Sequence, residues 1–310
     1  MTPAVTSPVA FVFPGQGSQR IGMLDALPDG ALSRELLDSA SEASGIDLAA
    51  VASNGPDADL ADTRAAQPLL YLVGVAWASA LADAGIRPAM VAGHSLGEIT
   101  ALAVAGVFDV ATGLHLVIER SRAMADAAAG APGTMAAVIG MDTDTVTDLV
   151  EPIAGVWVAN DNAPGQIVLT GTHIGIEAAT RALTEAGARK IVPLAVAGPF
   201  HSPLMAPASE RFLQIIESTT LAPARVPVVQ NTSAAPSSDP AFIKERLSAQ
   251  ITSPVRWTET MTAIRDAGIG LLVEVGPGAV LSGLARRMDG LAAFSVESAG
   301  IDRIREEIGA

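Results

Sequence analysis

The amino-acid sequence predicts an α/β protein in two parts. A large domain with a mainly parallel sheet spans 1–129 and 199–310, and a small ferredoxin-like domain is inserted over 130–198. Three observations lead there. Towards both ends of the chain, short apolar runs stopped by Gly or Pro alternate with helical stretches, the pattern of a parallel sheet covered by helices. The middle third switches to the order β-α-β-β-α-β, the split-βαβ pattern. The 310 residues are 49% hydrophobic and 17% charged, enough for a large core or two coupled ones and far from a disordered composition.

The elements follow in order. Val9-Ala10-Phe11-Val12-Phe13 is a short apolar strand stopped by Pro14-Gly15. Residues 25–47 read as helix and loop. Residues 67–84 read as a long apolar helix closed by Gly85 and Pro88. A strand over 90–92 leads into Gly93-His94-Ser95-Leu96-Gly97, and helices follow over 98–104 and 110–128. The inserted domain reads as strand 134–139, helix 143–150, strands 156–159 and 166–169 around Pro164-Gly165, helix 174–186 and strand 190–196. Leu271-Leu272-Val273-Glu274-Val275 is a last strand, stopped by Gly276-Pro277-Gly278 before another helix. Aromatics are only 4%, so Ala, Val, Leu and Ile must fill the core.

Charge and composition exclude several functions. The formal charge is −14, from 33 acids against 19 bases, the wrong sign for a nucleic-acid partner. Lys190 and Lys244 are the only lysines, which argues against a polybasic membrane anchor. The longest apolar run, roughly 69–78, is short of a membrane span, and Met1-Thr2-Pro3-Ala4 lacks the charged start of a signal peptide, so a cytoplasmic protein is expected. Without any Cys there is no disulfide, thiolate metal site or Cys nucleophile.

Gly93-His94-Ser95-Leu96-Gly97 matches G-x-S-x-G, a sharp strand-to-helix turn whose glycines let two backbones approach and whose Ser stands at a helix N-terminus. Ser95-Leu96-Gly97-Glu98 is equally S-x-x-E, a helix capping box. On local sequence alone, nucleophile and cap are both open. A nucleophilic Ser needs a base, and the chain has four His. His94 adjoins Ser95 and should point away from it. His115 reads as a helix-face residue and His173 as the start of a surface helix. Elimination leaves His201, in the loop Gly198-Pro199-Phe200-His201-Ser202-Pro203. No Asp is marked as a third member, and a carbonyl could orient the imidazole instead.

These segments resemble the malonyl-CoA:acyl carrier protein transacylases, including the acyltransferase domains of polyketide synthases. The likeness is carried by Phe13-Pro14-Gly15-Gln16-Gly17-Ser18-Gln19, Gly93-His94-Ser95-Leu96-Gly97-Glu98, Arg120 with Met124, residues 159–166, Phe200-His201-Ser202-Pro203-Leu204-Met205 and Val275-Gly276-Pro277-Gly278. They fall in the family's order across nearly the whole chain. The resemblance implies an α/β-hydrolase-like large domain and a malonyl transfer through Ser95, with His201 as base. It implies that the Gln250 main-chain carbonyl orients His201 and that the Gln16 and Leu96 N–H groups form an oxyanion hole. Arg120 would hold the free carboxylate, with Gln67 and Met124 in the same pocket and Asn160 and Asn162 in a loop near the site.

Phe200 is the residue that accompanies malonyl rather than methylmalonyl in that family, while Pro199 departs from its usual Ala or Ser. The implied partners are malonyl-CoA and an acyl carrier protein bearing phosphopantetheine, with no metal or redox cofactor. Arg189-Lys190 and Arg286-Arg287, the only adjacent basic pairs, are the candidates for docking an acidic carrier. A serine hydrolase or thioesterase, or the malonyl-transferring subunit of a malonate decarboxylase, would share the same nucleophile.

Overall fold

The computed structural model describes residues 7–309. The opening Met1 to Ala4 segment lies outside the described residues. Among the described residues eleven strands form two sheets: β1 (Val9–Phe13), β2 (Met90–Gly93), β3 (Thr134–Ile139), β4 (Val156–Ala163), β5 (Gln166–Gly171), β6 (Lys190–Pro193), β7 (Val228–Val229), β8 (Pro236–Ser237), β9 (Val255–Arg256), β10 (Leu271–Glu274) and β11 (Ala292–Ser295).

The larger sheet has the order β11-β10-β1-β2-β7-β8, with every pairing parallel except the edge pair β7–β8. β1 lies between β10 and β2, and all five of its residues are buried. That explains its unbroken apolar run, since a strand covered on both faces cannot alternate with polar residues. β1 and β2 run in register, with Phe13 opposite Gly93, so the loops leaving their carboxyl ends emerge side by side. Those loops carry Gln16 and Ser95, and open α/β sheets bind their ligands at that end.

The helix expected over 67–84 runs over Thr63–Asp83, capped by Asp62 on the Arg64 N–H, with Pro68 in its second turn. The apolar run inside it understated its length. By length and composition it is long enough to cross a membrane, but most of it is buried within the protein, where it packs on the helix Val110–Gly130. Arg120 is on that second helix.

The smaller sheet has the order β6-β3-β5-β4-β9. Its four strands from 134–193 pair antiparallel in the ferredoxin-like order, with the helices Thr143–Val150 and His173–Glu185. The fifth strand, β9, pairs parallel with β4 and comes from residues 255–256, far along the chain from the insertion. Two residues of strand carry no periodic signal, so the sequence could not announce it. β4 also runs on to Ala163, so Asn160 and Asn162 are strand residues, not the loop residues expected. Register shifts between Val158 and Asn160 and between Asp161 and Ala163 let the ladder accommodate them. β6 ends at Pro193, earlier than the run to residue 196 suggested.

The elbow after β2 is packed backbone on backbone. A Cβ at Gly93 would lie 1.9 Å from the Gly97 carbonyl, and one at Gly97 would lie 2.0 Å from the Phe13 carbonyl oxygen. Gly97→Ala should therefore force the elbow away from β1 and cost about 3 kcal/mol, the upper range for overpacking. A denaturation midpoint unchanged in that variant would show that the close approach is not rigid.

Candidate active site

The site is assembled from stretches far apart along the chain. Ser95 follows β2 with φ 50° and ψ −107°, a strained conformation for a residue with a side chain. The helix Leu96–Val104 starts at the next residue. The hydroxyl makes no capping bond. Ser95 Oγ lies 2.8 Å from His201 Nε2 and accepts a hydrogen bond from Arg120 Nη2 at 3.0 Å. The capping-box reading fails on its other half too, because the Ser95 N–H donates to Asn231 Oδ1 at 2.7 Å and not to Glu98.

His201 also has positive φ, 58°, in a loop tied by the Ser202 hydroxyl donating to the Pro199 carbonyl. Its Nδ1 lies 3.1 Å from two main-chain carbonyls, those of Gln250 and Ser253. Carbonyls only accept, so Nδ1 carries the proton and Nε2 presents its lone pair to Ser95. The carbonyl expected to do this was Gln250 alone; Ser253 shares the role. Burial drives the His201 pKa down to about 3, helped by the Arg120 charge and by His94, and the two carbonyls only partly oppose it. The imidazole is therefore neutral at neutral pH, the state a base requires.

Arg120 is 1% exposed. Its Nη1 donates to Gln67 Oε1 at 2.8 Å, and its Nη2 donates to Gln250 Oε1 at 3.0 Å as well as to Ser95. Its Nε has no partner, and among the described residues no carboxylate lies within ion-pair distance of the guanidinium. Burial lowers its pKa to about 10, which leaves it charged. Gln67 is fixed in turn by Met124, whose sulfur lies 3.5 Å from Gln67 Nε2.

Ser95, His201 and Arg120 open on one cavity of about 270 Å³, with Phe200, Met124 and Asn160 also in its wall. Gln16 and Leu96 line it too, and neither backbone N–H finds an acceptor among the described residues. Asn160 Oδ1 is buried without a partner. Asn162 is not in the wall; it acts one residue removed, with its Oδ1 2.8 Å from His94 Nε2. His94, expected to point away from Ser95, makes no side-chain hydrogen bond to it among the described residues; it borders the cavity, its ring held by Asn162 and in edge contact with Trp257 at 5.4 Å between ring centres. His115 and His173 are exposed on helices. Sequence reasoning did not reach Ser253, Asn231 or the part played by Glu98. The first two bear no motif, and Glu98 had been absorbed into the cap. Neither basic pair, Arg189-Lys190 or Arg286-Arg287, borders the cavity.

A strained Ser at a helix start, a neutral His on its hydroxyl and free N–H groups beside it define a serine enzyme of acyl chemistry. The chain belongs to the acyl transferase domain family, whose model matches residues 10–297. It is 43% identical over 278 residues to the malonyl CoA-acyl carrier protein transacylase of Synechocystis sp., covering 90% of this chain and 92% of that one. The crystal structure of the acyl-carrier-protein S-malonyltransferase of Burkholderia pseudomallei superposes with a TM-score of 0.90 at 42% identity, covering 96% of this chain and 99% of that one. A type II PKS acyl-carrier protein in complex with its malonyl-transacylase also matches, with a TM-score of 0.88 at 36% identity over 98% of this chain and 99% of that one.

Proposed function

We propose that this protein moves a malonyl group from malonyl-CoA to the phosphopantetheine thiol of an acyl carrier protein, through a malonyl ester on Ser95, for fatty acid or polyketide synthesis. The observation that carries this reading is the buried Arg120 guanidinium, which touches no carboxylate among the described residues and lies 3.0 Å from the Ser95 hydroxyl. A planar cation there suits an acyl group whose far end is a carboxylate.

In the first half-reaction His201 Nε2 takes the Ser95 proton while Oγ bonds to the thioester carbonyl carbon. The electron pair moves onto the carbonyl oxygen, where the Gln16 and Leu96 N–H groups stabilise it, aided by the helix start at Leu96. Collapse breaks the C–S bond, and the CoA thiolate leaves with the proton from His201. The carrier thiol then reverses these steps. Imidazolium beside a buried guanidinium is costly, and the malonyl carboxylate on Arg120 offsets that charge. Side chains and N–H groups supply every step, so no metal or redox cofactor is invoked.

Phe200 is in the cavity wall, and a bulky ring there would crowd an α-methyl and favour malonyl over methylmalonyl by a moderate factor. We assign the work to the cytoplasm and keep 1–129 with 199–310 and 130–198 as the two domains. One of the pairs Arg189-Lys190 and Arg286-Arg287 would meet the acidic carrier. A hydrolase or thioesterase of acyl groups without a carboxylate would have no use for Arg120, one acting on malonyl-CoA would differ only in releasing malonate to water, and a malonate decarboxylase subunit would differ only in acceptor.

The test is by intact mass. With malonyl-CoA alone, the protein should gain one malonyl group. On adding phosphopantetheinylated carrier, that mass should move to the carrier with no build-up of free malonate. Release of malonate instead of transfer would make it a hydrolase.

A further inference from the structure

Glu98 sits on the first turn of the helix after Ser95 and is 1% exposed. Its carboxylate accepts hydrogen bonds from the Asn231 main-chain N–H at 2.9 Å, Gln250 Nε2 at 3.1 Å and Gln230 Nε2 at 3.2 Å. All three are donors. Burial raises the Glu98 carboxyl above the usual carboxylate range, and these donors and the Arg120 charge only partly oppose it. Both carboxyl oxygens face N–H groups, so the surroundings hold Glu98 as an acceptor.

The Gln250 carboxamide links this acceptor to Arg120. Its Nε2 donates to the Ser95 carbonyl at 2.9 Å and to Glu98, which leaves Oε1 to accept from Arg120 Nη2 at 3.0 Å. Turned over, the amide would set its oxygen against a carbonyl and a carboxylate, and its NH₂ against the guanidinium. Both ends would be repelled.

We infer that Glu98 is a positioning residue for malonyl selection: through the Gln250 side chain it fixes the guanidinium of Arg120 for the acyl carboxylate. The inference deepens the malonyl-transfer reading and rests on it. Gln250 then has two separate duties, its main chain on His201 and its side chain on Arg120.

The test compares kcat/KM for malonyl-CoA and acetyl-CoA in the parent protein and in Glu98→Gln. The variant places an amide NH₂ among donors and frees the Gln250 amide to turn. The malonyl-to-acetyl ratio should fall roughly ten-fold, the scale on which removing the partner behind a ligand-holding group acts. In an Arg120→Met background, Glu98→Gln should leave that ratio unchanged, since the residue it positions is gone. Labelling of Ser95 by phenylmethanesulfonyl fluoride, which has no carboxylate, reports whether the hydroxyl and imidazole are intact.

Equal loss for both thioesters, or equal loss of malonyl transfer and sulfonyl labelling, overturns the inference and makes Glu98 a structural staple. If Glu98→Gln is recovered only unfolded, Gln250→Leu removes the carboxamide, retains the main-chain carbonyl, and is held to the same ratio. A parent protein that never acquires malonyl fails the functional reading itself, which separates the two failures.

Discussion

His201→Ala should lower the rate of Ser95 malonylation by roughly four to six orders of magnitude, the range found when the base of a serine nucleophile is removed. The contact supporting this is the 2.8 Å approach of Nε2 to Ser95 Oγ, with Nδ1 held by two carbonyls that fix the tautomer. The same burial sets the pH dependence. A free imidazole titrates at 6.5, and this one is held down to about 3. Malonylation by malonyl-CoA, read by rapid-quench mass measurement, should therefore stay level as pH falls through 6.5 and decline only as it approaches the imidazole's depressed pKa of about 3. Substrate should raise the lower limb somewhat, because the malonyl carboxylate neutralises Arg120, the second cause of the depression. Stability follows the same sign. Between 6.5 and about 3 the unfolded chain binds a proton that the fold refuses, so this contribution is complete above 6.5 and is lost as pH falls towards 3. A malonylation limb centred at 6.5 would mean that the imidazole is open to water.

What the sequence revealed and what it hid divide along physical lines. The elbow was legible because its constraint is local: two glycines, a strand before and a helix after. Even so, the same four residues spelled a cap. Only the left-handed backbone at Ser95, and its N–H on Asn231, decide between them. His201 was reached by elimination in a chain with few His. The partners that hold the site were not legible, because they come from backbone atoms and amides at distant positions. Ser253 acts through its carbonyl, Asn231 spans 136 residues to reach Ser95, and β9 is two residues long. No periodicity marks such contacts. The ferredoxin-like insertion was legible as an order of elements, since each strand and helix in it carries its own pattern. Its fifth strand, borrowed from the far part of the chain, was not.

Arg120→Met should lower kcat/KM for malonyl-CoA by roughly two to four orders of magnitude and leave acetyl-CoA far less affected. Desolvation decides the size of the effect. The guanidinium is already out of water and, among the described residues, touches no carboxylate, only the oxygens of Gln67, Gln250 and Ser95, with the Glu98 carboxyl one carboxamide away. A malonyl carboxylate entering the cavity supplies the missing charge. With Met in place, that carboxylate must lose its water for no partner, at a cost of about 3–5 kcal/mol by comparison with other broken buried pairs. An acetyl group carries no such charge and forfeits nothing, so the preference between the two thioesters should collapse. Lys should rescue poorly, because an ammonium cannot serve Gln67, Gln250 and a carboxylate with one planar set of donors. An independent readout accompanies the kinetics. The Arg120 charge helps depress His201, so the imidazole of Arg120→Met should titrate higher than in the parent, measured by nuclear magnetic resonance of the ring protons. If malonyl and acetyl transfer fell together, or if the imidazole did not move, Arg120 would be a core brace and the carboxylate would have to be recognised elsewhere in the cavity.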